Sequence, residues 1–153
     1  MSGEHWYRNI DWTPEIETAF EAKLARSRSQ KAQYLRIQGS ILKEAHPEVA
    51  LNLLQRCVDM DEEFHIAHAH LDSAHAHYVL GDIDGALKSL EAAMEAQLRF
   101  PMFRTSAPFD YCLLVAFHER EERYDAALAI LDGLGSGPFA STDFEGQADA
   151  PGA

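Results

Sequence analysis

The sequence predicts an all-α protein of about three helical hairpins, preceded by an N-terminal capping helix. Apolar residues recur along most of the chain at the i, i+4, i+7 spacing of one helical face. Three of these patterns begin with a small residue, and Ala50, Ala86 and Ala127 are 36 and 41 residues apart. Because a single hairpin cannot bury its apolar face alone, the repetition indicates a stack of hairpins.

The capping helix begins at residues 13–15, where a capping threonine is followed by a proline and an acid. It should end near Arg26, and its apolar stripe consists of Ile16, Phe20 and Leu24. Three aromatic residues precede it, and they form either a plug on this helix or an exposed anchor for a partner: Trp6, Tyr7 and Trp12.

The first hairpin is expected over residues 29–60. Its first helix spans about 30–43, and the residues that it should bury are Tyr34, Ile37, Ile41 and Leu42. A proline at residue 47 starts the second helix, whose apolar face consists of Ala50, Leu54 and Cys57.

The second hairpin, residues 64–98, is the clearest of the three. Gly81 can adopt the left-handed conformation that ends one helix, and Asp82 or Asp84 can cap the next. The face of that second helix consists of Ala86, Leu90 and Ala93.

The third hairpin, residues 109–134, follows an extended loop at 99–108 that contains two prolines. Its last helix repeats the apolar pattern at Ala127 and Leu131. Residues 135–153 are rich in glycine and contain no Lys or Arg, which predicts a disordered tail. Residues 1–134 should therefore form a single helical domain.

The segment LGDIDGALKSLEAA resembles a tetratricopeptide repeat, and HPEVALNLLQRCV and ERYDAALAILDGL do so more weakly. The resemblance covers residues 29–134, but the first helices lack the usual large aromatic followed by Leu-Gly, and the usual proline after the second helix is missing. The chain also resembles small bacterial repeat proteins that open with Trp-Tyr-Arg. The resemblance implies a superhelix whose concave groove, lined by the first helices, binds a peptide or helix of another protein.

Charge and composition exclude several classes of function. The net charge is −12, and from residue 44 onward six basic residues face twenty acidic ones, so the chain should repel nucleic acid and favour a basic protein partner. No apolar run is long enough to cross a membrane, and the N-terminus lacks the apolar core of a secretion signal, which favours a cytoplasmic protein.

Catalysis is not expected. The sequence contains no GxSxG, P-loop or GxGxxG motif, and it calls for no cofactor. Cys57 and Cys112 lie in apolar helical patterns without a CxxC pair, so we expect both to be reduced core residues.

Five of the eight histidines lie in residues 65–77. On a helix, His68, Asp72 and His75 share one face and could bind zinc or nickel, although no HExxH motif is present. Partner-contacting or solvated histidines are the favoured interpretation, and a pH switch is a further hypothesis. His70 and His77 lie on another face, where we expect half-buried packing residues.

The leading hypothesis is a non-catalytic protein-binding module. The residues expected to contact the partner are Arg36, Lys43, His68, Leu71, Asp72, His75, Tyr78 and Arg104. The alternatives are an immunity protein that neutralises a basic toxin through its acidic surface, and a metal-responsive protein.

Overall fold

The computed structural model describes residues 5–135, and this part of the chain is helical without a β-strand. The predicted all-α fold is confirmed. The seven α-helices are α1 Pro14–Arg26, α2 Lys31–Leu42, α3 Pro47–Asp59, α4 Ile66–Val79, α5 Ile83–Arg99, α6 Ala107–Phe117 and α7 Tyr124–Gly135, with a 3₁₀ turn at Glu121–Arg123. The chain divides into two compact units, Met1–Tyr111 and Cys112–Ala153. Apart from Gly135, the predicted tail lies outside the described residues.

The N-terminal helix α1 forms as its sequence predicts. The Thr13 hydroxyl accepts a hydrogen bond from the backbone N–H of Ile16 at 3.2 Å, which caps the helix. Phe20 and Leu24 are buried. The aromatic residues before α1 pack against this core: the Trp6 ring centroid lies 5.4 Å from that of Phe20, and the Trp12 centroid lies 5.5 Å from it. These contacts favour the plug over the exposed anchor.

Helix α2 buries Leu42 as predicted, but its other buried residues differ from the predicted ones. Tyr34 and Ile37 are only half-buried, and Ile41 is 36% exposed. The buried residues are Ala32, Leu35, Gln38, Gly39 and Leu42. The small residues of this stripe allow α3 to approach closely: a Cβ atom added at Gly39 would lie 2.7 Å from Cγ of Leu54. The larger side chains at 34, 37 and 41 lie outside this contact.

The fully buried side chain of Gln38 is satisfied by the N-terminal segment. Its Oε1 accepts hydrogen bonds from the backbone N–H and the side-chain amide of Asn9, at 3.0 and 2.9 Å, and its Nε2 donates to the Asn9 carbonyl at 2.8 Å. A buried amide left without these partners would destabilise the fold by ~1–3 kcal/mol. Gln38 therefore ties residues before α1 to the first hairpin.

The turn between α4 and α5 has the predicted geometry. Gly81 adopts φ of +75°, and the N–H groups of Gly81 and Asp82 donate to the carbonyls of Tyr78 and His77, both at 2.9 Å. The Asp82 carboxylate then caps α5 by accepting from the N–H of Gly85 at 2.9 Å. The predicted face of α5 is buried in full: Ala86, Leu90 and Ala93.

In the second unit, α6 and α7 lie close together, since the Cys112 Sγ atom is 3.5 Å from the carbonyl oxygen of Ala127. Val115 and Ala127 are buried. The prediction that Leu131 continues the buried pattern of Ala127 is wrong, since Leu131 is 48% exposed. Cys57 in the first unit is buried, and burial raises the pKa of its thiol to about 12.

We expect Gly39→Ala to lower the free energy of unfolding by about 1–3 kcal/mol, because the new methyl group overlaps the buried Leu54 side chain. Gly133→Ala in α7 is the matched control. A Cβ atom there meets nothing within 4 Å, so the change should raise the stability by about 0.5 kcal/mol through helix propensity. Urea denaturation followed by circular dichroism measures both, and equal effects would contradict the close approach of α2 and α3.

Candidate functional site

Helices α2 and α4 lie side by side and run in the same direction. The Arg36 Nε–H donates a hydrogen bond to Nδ1 of His65 at 3.0 Å, and the Lys43 ammonium donates to Oδ1 of Asp72 at 2.7 Å. Both pairs are separated by 29 residues, and the second lies two helical turns after the first. A constant separation between paired residues requires parallel helices.

A third contact extends this arrangement at the end of α2. The Nε2 atom of His75 lies 3.3 Å from Oε1 of Glu44, the second residue after α2. We call the side of the molecule formed by α2, α4 and the residues at their ends the α2–α4 surface. It consists of Arg36, Lys43, Glu44, His65, His68, Leu71, Asp72, His75 and Tyr78. It includes seven of the eight predicted contact residues. Arg104 instead lies exposed in the loop between α5 and α6.

The α2–α4 surface has an inner and an outer part. The Asp72 side chain is 12% exposed and that of Lys43 is 24% exposed, so this ion pair is mostly withdrawn from water. Half-buried Arg36 and His65 form a second internal pair. These four groups satisfy one another and hold α2 against α4. They are therefore less available to a partner than their sequence pattern suggested.

The outer part consists of residues on the C-terminal half of α4. Tyr78 is 47% exposed, and the His75 side chain is 44% exposed. Leu71 lies between them around the helix and is half-buried, as is His68 one turn earlier. An aromatic and an aliphatic side chain thus lie beside the polar pair of His75 and Glu44.

Two histidines have lowered pKa values: His65 at the N-terminus of α4 and His70 within it. Burial, together with the nearby Arg36 guanidinium and His68, lowers the pKa of His65 below 6.5, while Glu62 opposes the shift. The hydrogen bond from Arg36 also requires an unprotonated Nδ1. Burial likewise lowers the pKa of His70, against the opposing charge of Glu95.

The other features of the histidine-rich segment are structural. His70 and His77 are half-buried, as expected of packing residues. The Nδ1 atom of His77 lies 3.1 Å from Oδ2 of Asp82, the residue that caps α5. A Cβ atom at Gly85 would lie 2.7 Å from Nδ1 of His77, so this glycine leaves room for the contact.

The geometry does not favour metal binding by the candidate ligands His68, Asp72 and His75. Asp72 is engaged by Lys43, and His75 is directed toward Glu44. Among residues 5–135, no group of three or more His, Cys, Asp or Glu side chains is arranged to hold a metal ion.

Sequence reasoning overlooked His65 and Glu44 as members of the surface. The signal that could have identified them is the register of the charged residues. Arg36 and Lys43 are seven residues apart on α2, and His65 and Asp72 are seven apart on α4, so the two pairs can form together.

No protein-family model, curated protein or solved structure matches this chain. Within the described part of the chain, no helix has both the length and the apolar character needed to cross a bilayer. The functional assignment therefore depends on the geometry of the described residues.

Lys43→Ala should lower the free energy of unfolding by about 1–3 kcal/mol, because it leaves the nearly buried Asp72 carboxylate without its cation. The double replacement Lys43→Met with Asp72→Leu removes both charges, and its cost should be smaller than that of Lys43→Ala. Chemical denaturation of the three proteins tests the pairing. A double variant less stable than Lys43→Ala would argue against an ion pair whose main effect is mutual neutralisation.

The histidines predict a loss of stability in acid. Because the folded-state pKa values of His65 and His70 lie below 6.5, the unfolded chain binds more protons as the pH falls through that value, and the free energy of unfolding decreases. The urea midpoint should therefore be lower at about pH 5.5 than at about pH 7.5. The variant His65→Asn with His70→Gln, which cannot titrate at these positions, should show a smaller difference. Identical midpoints for the wild type would refute the effect.

Proposed function

We propose that this chain is a non-catalytic protein-binding module that holds a peptide or helix of another protein on the α2–α4 surface. One observation supports the proposal above the others. The outer part of α4 presents the half-exposed Tyr78 beside Leu71, with His75 and Glu44 at its border. In protein interfaces, a few apolar or aromatic residues surrounded by a polar rim usually contribute most of the binding free energy.

The side-by-side arrangement of α2 and α4 supports a tetratricopeptide-like stack. In such a stack the first helices of successive hairpins line the binding face, and here the contacts of Arg36 with His65 and of Lys43 with Asp72 join two first helices. The well-formed turn at Gly81 and the buried Ala86 fit the same interpretation. We propose this family on those features.

The internal pairing of the surface determines what a partner would contact. Lys43 and Asp72 neutralise each other, so the recognition of a partner carboxylate by Lys43 would first require breaking a mostly buried ion pair. Tyr78 and His75 are the most exposed of the predicted contact residues on this surface. We therefore assign the main contribution to affinity to these two residues, and we assign the rate of association to the net charge of −12.

A position-specific crosslink tests this assignment. A photoreactive phenylalanine derivative placed at His75 should capture the partner in cells of the native host. The same group placed at Leu98, which is 83% exposed on α5, should not capture it. Equal capture from both positions would place the binding surface elsewhere.

The captured protein, once purified, allows a quantitative test by calorimetry. The variant His75→Asp with Tyr78→Asp should weaken its binding at least tenfold, because both anchors become charged, while the thermal midpoint stays near that of the wild type. Leu98→Asp serves as the control and should bind like the wild type. Retained affinity in the double variant would contradict the proposal.

A further inference from the structure

The last described helix carries a row of large apolar side chains in water. Four residues of α7 are each between 39% and 58% exposed: Tyr124, Leu128, Leu131 and Leu134. Tyr124, Leu128 and Leu131 follow the i, i+4, i+7 spacing, so they lie on one side of the helix, and Leu134 lies one turn further along beside them. We call these four residues the α7 face.

The α7 face is comparable in area to the largest apolar patch on a typical monomeric protein. The exposed fractions together equal about two whole side chains of this size, or on the order of 300 Å². In the same unit, Leu113 and Phe117 of α6 are also 59% and 80% exposed. Patches of this size are often functional.

The charge around the α7 face indicates the chemistry of the molecule that covers it. Between residues 112 and 134, every exposed charged residue is acidic. These residues are Glu119, Glu121, Glu122, Asp125 and Asp132. The two arginines of this stretch, Arg120 and Arg123, are only partly exposed. Asp125 and Asp132 lie on α7 itself, next to Leu128 around the helix, and the other three acids precede α7 in the chain. We call these five acids the acidic border.

This border disfavours two of the possible occupants. A second copy of the chain would bring an acidic border against another acidic border, between molecules that each carry a net charge of −12. An anionic bilayer would be repelled for the same reason. A helix with apolar anchors on one side and Lys or Arg residues beside them matches both the apolar face and its border.

We infer that the α7 face binds a basic amphipathic helix of another protein, at a site separate from the α2–α4 surface. The apolar anchors of that helix pack on Leu128 and Leu131, and its basic residues pair with the acidic border. This site goes beyond the function proposed above, since it uses other residues and another ligand chemistry.

The probes for a direct test are three labelled 18-residue peptides. The first is amphipathic, with leucines at i, i+3, i+4 and i+7 and lysines elsewhere. The second replaces the lysines with glutamates, and the third keeps the composition of the first but scrambles the leucine positions. Fluorescence anisotropy with the full chain should show binding of the first peptide, and at least tenfold weaker binding of the other two.

Variants of the full chain then locate the site. Leu128→Gln with Leu131→Gln should weaken binding of the first peptide at least tenfold, and its melting temperature should stay near that of the wild type because both residues are exposed. Leu98→Gln on α5 is the matched control, since it also exchanges an exposed leucine, and it should bind normally. Unchanged binding by the double variant would overturn the inference.

The alternative occupants give different results. Comparable binding of the glutamate or scrambled peptide would mean that the charge or the helical pattern is not recognised, and this would overturn the inference. A photoreactive group at Leu128, used without peptide, should give no crosslinked product within or between chains. Crosslinks to a second copy, or to residues 136–153 of the same chain, would show that the protein itself covers the α7 face.

Discussion

The close approach of neighbouring helices through small residues is the constraint on which the first unit depends. Gly39 lies against Leu54 with no room for a Cβ atom, and Ala50 and Ala86 are fully buried. Ala69 and Ala76 of α4 belong to the same buried cluster as Leu35 and Leu42 of α2. Lys43, at the end of α2, lies 2.7 Å from Asp72 of α4 beside this core. The ion pair therefore lies at the edge of the apolar packing that joins the helices.

Local chemistry was sufficient to predict the helices and the central turn. The capping by Asp82 and the left-handed Gly81 depend only on neighbouring residues, and so they follow from the sequence. The buried stripe of α2 does not, because two adjacent stripes have helical spacing. The burial of Leu35 rather than Ile37 depends on which side of α2 meets α3, and the contact of Gly39 with Leu54 lies on that side, which is a tertiary property.

The candidate surface was predictable as a face but not as a set of contacts. Helical spacing placed His68, Asp72 and His75 together, and the structure keeps them on one side of α4. Helical spacing could not show that Asp72 pairs with Lys43, since that contact joins residues 29 positions apart. Charged residues on a helical face look equally available in a sequence. Burial separates those that hold the helices together from those that can contact a partner.

The two proposed surfaces differ in how their charges are used, and this difference predicts different partners. On the α2–α4 surface the charges are mostly paired within the protein, so a partner gains from Tyr78 and from shape more than from charge. Around the α7 face the exposed charges have one sign, so a partner gains from opposite charge as well as from apolar contact. Binding at the α7 face should therefore weaken as salt is added, whereas binding at the α2–α4 surface should depend less on salt.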